Sequence, residues 1–138
     1  MRPFVYMLDT NILSDLVRHP AGAVAERVAE YGEESICTSI IVACELRFGA
    51  AKKGVPLLSN KIEELLACIA VLPFTEDADR RYAALRVHLE KAGTLIGPND
   101  MLIAAHALAQ GLTLITDNTN EFGRVPELLV KNWLRPGS

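Results

Sequence analysis

Short apolar segments alternate with longer amphipathic stretches along the chain, and this alternation predicts strands and helices in turn. Five segments have the length and apolar content of strands: 4–8, 35–39, 71–74, 112–116 and 128–130. Between these segments, apolar residues at helical spacing predict helices. One follows the first strand and stops at Pro20, and the others cover 21–31, 40–52, 57–69, 75–93 and 98–110. Strands that alternate with helices of this length are typical of βαβ units. The pattern therefore predicts an α/β fold with a mostly parallel central sheet.

Acidic residues follow two of the predicted strands directly. Asp9 comes after the first strand and Asp117 comes after the strand at 112–116. Asp100 lies in the first turn of a predicted helix, and Glu45 lies inside an apolar helix where an unpartnered carboxylate is costly to bury. Ligands of parallel α/β sheets bind at the carboxyl ends of the strands. The carboxyl edge of the sheet is therefore where these acids would meet.

If the four acids meet, their mutual repulsion requires a neutralising cation. A cluster of carboxylate oxygens suits Mg²⁺ or Mn²⁺, which bind through a few carboxylates together with waters and substrate phosphates. Such a site activates water and stabilises the charge that develops on a phosphodiester. The spacing thus favours phosphoryl-transfer chemistry, and none of the three histidines lies beside an acid at a strand end to act as a base.

Each acid also has a simpler interpretation that the spacing alone leaves open. Asp9 is a good N-cap for the helix that follows it. Asp100 in a first helical turn is stabilised by the helix dipole. Asp117 with its neighbour Asn118 is ordinary turn chemistry, and Glu45 has Arg47 nearby as an ion-pair partner.

Composition excludes several classes of protein. The chain has 138 residues, half of them apolar, with a net charge of −3. Disorder requires lower hydrophobicity and higher charge, and this length is typical of one domain, here residues 1–138. Three cysteines without CxxC spacing predict no zinc module or disulfide framework. Cys37 and Cys44 lie in apolar stretches, which predicts buried, reduced thiols and a cytoplasmic protein. The apolar runs are too short to predict a signal peptide or a membrane span.

Five segments of the chain resemble PIN-domain ribonucleases, and among them the VapC toxins of bacterial toxin–antitoxin pairs. They agree with the family in order and spacing, and the likeness extends to the Asn-Trp tail at 132–133. The segments are YMLDTNI (6–12), SIIVACELRFGA (39–50), RVHLEKAG with IGPND (86–100), LIAAHAL (102–108) and LITDNTNEF (114–122).

The resemblance implies a PIN-like three-layer α/β/α fold with a central, mostly parallel sheet of four to five strands. It implies an endoribonuclease that uses Mg²⁺ or Mn²⁺ and acts on RNA, with tRNA as the expected substrate. The implied partners are a VapB-type antitoxin that inserts a segment near the active site, and a second copy of the chain in a homodimer. Neither a membrane nor direct DNA binding by this chain alone is expected.

The family's three core acids correspond to Asp9, Glu45 and Asp100. Asp117 is expected to complete the acidic pocket as the fourth catalytic and metal-binding residue, although many similar toxins have Asn there. The nearby alternatives to Asp117 are Asn118, Asn120 and Glu121. Four further polar residues are expected to orient the acids or a water by hydrogen bonds: Thr10, Asn11, Thr116 and Asn118.

RNA reaches a cluster of acids only if cations lie nearby. Arg47, Arg86 and Lys91 are the candidates for phosphate contacts, although a solvated helix face is the plainer interpretation of such residues. The low net charge first argues against a nucleic-acid partner. Removing the four pocket acids from the net charge of −3, however, leaves +1 for the rest of the chain. We therefore expect RNA binding to depend on metal and a few placed cations.

Two other functions are compatible with this sheet edge. A phosphatase or receiver-type phosphoacceptor with Asp9 as nucleophile needs a second acid two residues later, where the chain has Asn11, or a lysine directly after the strand at 112–116, where the chain has Asp117. A PIN-like protein that only binds RNA or a partner is favoured when a core acid is missing. Asp9, Glu45 and Asp100 are all present, which favours the nuclease.

Overall fold

Five strands and seven helices follow one another along residues 4–135, the part of the chain that the structure, a computed structural model, describes. The strands are β1 (Tyr6–Leu8), β2 (Ile36–Ser39), β3 (Ala70–Leu72), β4 (Thr113–Ile115) and β5 (Val130–Lys131). The helices are α1 (Thr10–Arg18), α2 (Ala23–Tyr31), α3 (Ile40–Lys53), α4 (Pro56–Cys68), α5 (Ala78–Ala92), α6 (Pro98–Gln110) and α7 (Thr119–Phe122). A single 3-10 turn, Glu33–Ser35, precedes β2.

The strands form one sheet in the order β3-β2-β1-β4-β5, and every neighbouring pair is parallel. Parallel neighbours are joined by right-handed crossovers. The chain moves from β1 through β2 to β3 in one direction and returns to β4 on the other side of β1, so α1–α4 cover one face and α5–α6 cover the other. In agreement, α1 contacts α2, α3 and α4, while α5 packs along α6. The predicted three-layer fold with a central parallel sheet is confirmed.

The strand order reverses between β1 and β4, which lie side by side at the centre of the sheet. The connection that leaves β1 runs toward β2, whereas the one that leaves β4 runs toward β5. The two connections therefore diverge and open a crevice at the carboxyl edge, the usual ligand position in an open α/β sheet. Asp9 and Thr116, the residues that follow these two strands, flank that crevice.

The core consists of apolar side chains from the strands and from the helices on both faces. The central helix α6 buries residues around most of its circumference, including Met101, Ile103 and Ala104, because it lies between the sheet and α5. The C-terminal segment is fixed by Trp133, whose ring lies 5.5 Å from that of Tyr31 and 5.2 Å from that of Tyr6. None of the helices within residues 4–135 is long and apolar enough to cross a membrane.

The structure differs from the sequence prediction in a few local features. Strand ends shift by one or two residues, and residues 119–122, expected as loop, form the short helix α7. Cys37 is buried as predicted, and burial raises the pKa of its thiol to about 12. The prediction that Cys44 is buried is wrong, because that residue lies on the exposed side of α3. All three cysteines are free thiols.

Candidate active site

Asp9 is the carboxylate at the bottom of the crevice. It caps α1, with the Thr10 N–H donating to Oδ1 at 2.8 Å, and the Thr116 hydroxyl donates to Oδ2 at 2.7 Å. The residue is only 4% exposed. Burial raises the pKa of Asp9, these two donors oppose that rise, and the nearby charges of Glu45 and Glu121 add to it. Asp9 is thus both an N-cap and a buried, oriented carboxylate.

Glu45 reaches the crevice from α3, which starts where β2 ends. The Ser39 hydroxyl caps that helix by accepting the Ile41 N–H at 3.0 Å, and this cap fixes the start of the helix that carries Glu45. The Thr10 hydroxyl donates to Oε1 of Glu45, and the Asn99 side-chain amide donates to Oε2 at 3.2 Å. The half-buried carboxylate is therefore held at both oxygens.

Asp100 and Glu121 form a carboxyl pair on the opposite side of the crevice. Asp100 lies in the first turn of α6, and Glu121 comes from α7 and accepts the Gly97 N–H at 3.1 Å. Burial raises the pKa of Asp100 to about 8, and the hydrogen bond and charge of Glu121 and the charges of Asp9 and Glu45 contribute to the rise. The raised pKa of Asp100 favours its protonated form beside the Glu121 carboxylate at neutral pH. A Cβ at Gly97 would make ordinary van der Waals contact with both carboxyls, at 3.4 Å from Asp100 Oδ2 and 3.7 Å from Glu121 Oε1.

Asp117 does not join these acids, contrary to the expectation that it completes the pocket. Its Oδ1 accepts from the Asn132 amide at 2.8 Å and from Arg135 Nε at 3.0 Å. These donors and the positive charge of Arg135 lower the pKa of Asp117. The carboxylate is thus committed to the C-terminal segment, and the fourth acid beside Asp100 is Glu121, which the sequence offered only as one of several alternatives.

An open pocket of about 680 Å³ contains the converging acids. Its lining includes Asp9, Glu45 and Asp100, together with Asn99 and Phe48. Thr10 donates to Asp9 through its N–H and to Glu45 through its hydroxyl, which shows that these two carboxylates lie close together. No group of three or more Asp, Glu, His or Cys side chains within residues 4–135 is placed to hold a metal ion as it stands. The oxygens of Asp9 and Glu45 instead accept hydrogen bonds from Thr10, Thr116 and Asn99.

The four polar residues expected to orient the acids all lie at this edge. Thr10 and Thr116 bind carboxylates as described above. Asn11 accepts the Asp117 N–H at 3.2 Å and so ties the start of α1 to the loop after β4. The Asn118 N–H donates to the Thr116 hydroxyl at 3.0 Å, and its side chain bonds Glu121. Asn11 and Asn118 also line the pocket.

The cations expected to contact RNA lie outside the pocket. Arg47 makes two hydrogen bonds of 2.9 Å to Glu63 on α4, and Arg86 pairs with Glu90 along α5. Lys91 is exposed in the last turn of α5. The cation that does line the pocket is Arg18, at the end of α1. No local signal in the sequence points to Arg18, because its direction depends on how α1 packs against α3.

The buried histidine His106 lies apart from the acids. Its Nδ1 forms a 2.8 Å hydrogen bond with the Ser39 hydroxyl, and its ring packs edge-on against Phe74 at 5.4 Å. Burial lowers the pKa of His106, which favours the neutral ring. His106 therefore connects α6 to the start of α3 and does not reach the reacting centre.

Comparison with known proteins identifies a family for this arrangement. The family model described as "PIN domain" matches residues 6–128. A "Ribonuclease VapC2" of Rickettsia felis is 37% identical over 131 residues, covering 94% of this chain and 98% of that protein. The "tRNA(fMet)-specific endonuclease VapC" of Shigella flexneri is 34% identical, with 93% and 97% of the two chains covered. Both alignments cover nearly the whole length of each protein.

Solved structures agree with these relatives. A DNA-bound VapBC complex from Salmonella typhimurium matches with a TM-score of 0.89 and 30% identity, covering 94% of this chain and 98% of that one. VapBC2 from Rickettsia felis, bound to a fragment of its promoter DNA, matches with a TM-score of 0.87, 34% identity and the same coverage. VapBC-1 from nontypeable Haemophilus influenzae matches with a TM-score of 0.84 and 35% identity, covering 95% of this chain and 99% of that one.

Proposed function

The chain belongs to the PIN-domain family and, within it, to the VapC ribonucleases, and on that premise we propose that it is the toxin of a toxin–antitoxin pair. It is an endoribonuclease that acts in the cytoplasm and hydrolyses phosphodiester bonds of RNA in the presence of Mg²⁺ or Mn²⁺. The observation that carries this proposal is the meeting of Asp9, Glu45 and Asp100 in one pocket at the carboxyl edge of the sheet.

The proposed metal ligands are Asp9, Glu45 and Asp100, with Glu121 in the place first expected for Asp117. Their donor atoms are all carboxylate oxygens, which fits a hard divalent cation. Burial is the largest cause of the raised pKa values of Asp9 and Asp100, and the neighbouring acids add to it, so that a positive charge among them would favour the ionised forms. Within residues 4–135 the acids would have to draw closer together to enclose that charge. A bound cation supplies charge stabilisation to the phosphate in transit and makes water a better nucleophile.

The protein groups around the acids have distinct roles in the proposed reaction. Thr116 keeps the Asp9 carboxylate oriented and ionised in a buried position, because its hydroxyl donates to Oδ2. Thr10 and Asn99 hold the two oxygens of Glu45, which lies at the open side of the pocket and orients the attacking water. Asp100 and Glu121 hold a proton between their carboxyls in the absence of a cation.

We propose tRNA as the substrate. The relatives from Shigella flexneri and Salmonella typhimurium, 34% and 31% identical to this chain, are named tRNA(fMet)-specific endonucleases. The open shape of the pocket supports a macromolecular substrate. The expected result is that purified protein cleaves tRNA faster than ribosomal RNA of equal mass.

We propose two protein partners as well, a VapB-type antitoxin and a second copy of the chain. The related solved structures are VapBC complexes. A groove of about 270 Å³ between α1, α3 and α4 adjoins the acidic pocket and shares Thr10 and Glu45 with it. Its apolar side, formed by Leu46, Leu58 and Ile62, suits an antitoxin segment. Light scattering of the purified toxin tests the homodimer.

The proposed activity is tested by incubating total tRNA and ribosomal RNA with the protein and Mg²⁺ or Mn²⁺. Asp9→Ala and Asp100→Ala are expected to abolish cleavage, while Asp79→Ala, which removes the corresponding first-turn acid of α5, retains it. Chelation of the metal is expected to stop the wild type. Cleavage that survives in the two pocket variants, or that needs no metal, contradicts the proposal.

A further inference from the structure

An exposed aromatic ring lies in the same pocket as the acids. Phe48 is 66% exposed and lines the pocket together with Asp9, Glu45 and Asp100. It follows Glu45 by three residues on α3, so that both side chains lie on one face of the helix. Exposure of so large an apolar ring is unfavourable in water. Lys52 Nζ lies 6.0 Å from the ring centroid, which adds a positive charge beside it.

Arg18 brings a second, different group to the same pocket. It ends α1, is exposed and lines both the acidic pocket and the adjoining groove. Arg18 forms no ion pair with any of residues 4–135, whereas Arg47 and Arg86 are both paired with glutamates. Its guanidinium is therefore available to an anion that approaches the acids. A phosphate diester matches the fork of N–H donors that a guanidinium presents.

We propose that Phe48 and Arg18 form a nucleotide subsite beside the acids, in which Phe48 stacks on an unpaired base and Arg18 binds the adjacent phosphate. This inference rests on the proposed ribonuclease function. Aromatic side chains stack on single-stranded bases with little regard to sequence, and arginine offsets the repulsion between the RNA backbone and the acids. A base inside a duplex cannot stack on a side chain, so the subsite requires single-stranded RNA at the cut.

An antitoxin segment is the other candidate to cover Phe48. The apolar lining that suits such a segment, Leu46, Leu58 and Ile62, belongs to the adjoining groove, and Phe48 is not among the residues of that groove. Phe48 instead shares its cavity with the acids. Its position therefore favours the nucleic acid over the protein partner.

The test for Phe48 measures KM and kcat with a fluorescent single-stranded RNA oligonucleotide of mixed sequence. Phe48→Leu is expected to raise KM roughly tenfold, within the range for the loss of one stacked base, with kcat nearly unchanged. Phe48→Trp is expected to keep the wild-type KM, and RNA is expected to quench its new indole. The natural Trp133 is only 4% exposed and serves as the unquenched reference. Leu129→Ala, a 69% exposed residue just before β5 at the opposite edge, is the control.

The test for Arg18 uses the dependence of RNA binding on salt. Arg18→Ala is expected to weaken binding and to reduce the slope of log affinity against log salt by about one, while Arg80→Ala, an exposed arginine on α5, leaves both unchanged. The measurement is made by fluorescence anisotropy with Mg²⁺ present and a non-cleavable RNA analogue, so that cleavage does not interfere.

The outcomes separate this inference from the proposed function. A wild type that cleaves RNA, with Phe48→Leu at unchanged KM and no quenching in Phe48→Trp, overturns the subsite alone. Loss of antitoxin inhibition by Phe48→Leu without any change in KM assigns the ring to the protein partner and also overturns it. A wild type that neither binds nor cleaves RNA overturns the subsite together with the ribonuclease.

Discussion

The substitution Thr116→Val tests how the buried carboxylate of Asp9 is held in place. Thr116 is fully buried, donates to Asp9 Oδ2 at 2.7 Å and accepts the Asn118 N–H at 3.0 Å. Valine keeps the branched shape and removes the hydroxyl. Asp9 is then left with the backbone N–H of Thr10, and the backbone of Asn118 loses an acceptor.

The expected loss in the free energy of unfolding is that of one hydrogen bond to a charged group, about 1.5–3 kcal/mol. For 138 residues the entropy of unfolding is about 0.3 kcal/mol/K, so the melting temperature is expected to fall by about 5–10 °C. The pKa of Asp9 already lies above its ordinary value of 3.8, and loss of the donor raises it further. A carboxyl group whose pKa is raised by folding contributes most to stability while it is protonated. That contribution is lost as the pH rises through its folded-state pKa.

The assay is thermal unfolding of the metal-free protein from about pH 4 to about pH 8. The destabilisation by Thr116→Val is expected to grow with pH, because the lost bond matters most to the ionised carboxylate. Thr113→Val, at a half-buried threonine on β4, the strand that directly precedes Thr116, serves as the control for the change of side chain. A loss that is independent of pH, or no larger than that of Thr113→Val, refutes the reasoning.

Three further predictions concern neighbouring groups. Asp100→Asn keeps a hydrogen-bond donor for Glu121 but has no proton to lose. Because the pKa of Asp100 is raised to about 8, the metal-free wild type is expected to lose stability relative to this variant as the pH rises from about 4 to about 8. Equal pH dependence in denaturant titrations argues against the shared proton. Glu121→Gln is expected to lower RNA cleavage about 10- to 100-fold, while Asp117→Ala stays within about threefold, and the reverse order in a cleavage assay contradicts the assignment of the fourth acid. With a thiol reagent, Cys37 is expected to react only on unfolding and the other two cysteines in the native state; rapid native labelling of all three is incompatible with the described burial.

The sequence was sufficient to predict the position of Asp9, because an apolar run long enough for a buried strand ends directly before it. Asp100 was predictable from Gly97 and Pro98, which mark the start of its helix. Glu45 was singled out by its position in an apolar helix, where burial of a carboxylate requires a purpose. In each case the local pattern determines the backbone, and the backbone determines the direction of the side chain.

The fourth acid could not be predicted in the same way. Asp117 and Glu121 are only four residues apart, one before α7 and the other within it, and their roles depend on which partner each carboxylate meets. Asp117 meets Asn132 and Arg135, which lie beyond β5 and are at least 15 residues away from Asp117 in the sequence. Such long-range pairing leaves no periodic pattern near Asp117.

Exposure on helices with little amphipathic character was equally hard to predict. Helix α3 is apolar on nearly all sides, and its sequence does not distinguish the inner face, which buries Leu46, from the outer one, which carries Cys44 and Phe48. The direction of Arg18 depends on how α1 packs against α3. Cations that approach the pocket are therefore visible only once the helices are in place.

Titration of Mn²⁺ into the metal-free protein, followed by calorimetry, tests the central claim most directly, since it asks whether the acids at the carboxyl edge form a metal site. The wild type is expected to bind Mn²⁺ saturably and to release protons as the Asp100–Glu121 pair ionises. Asp9→Asn is expected to lose that binding while remaining folded. Equal Mn²⁺ binding by wild type and Asp9→Asn would show that the metal does not bind among these acids.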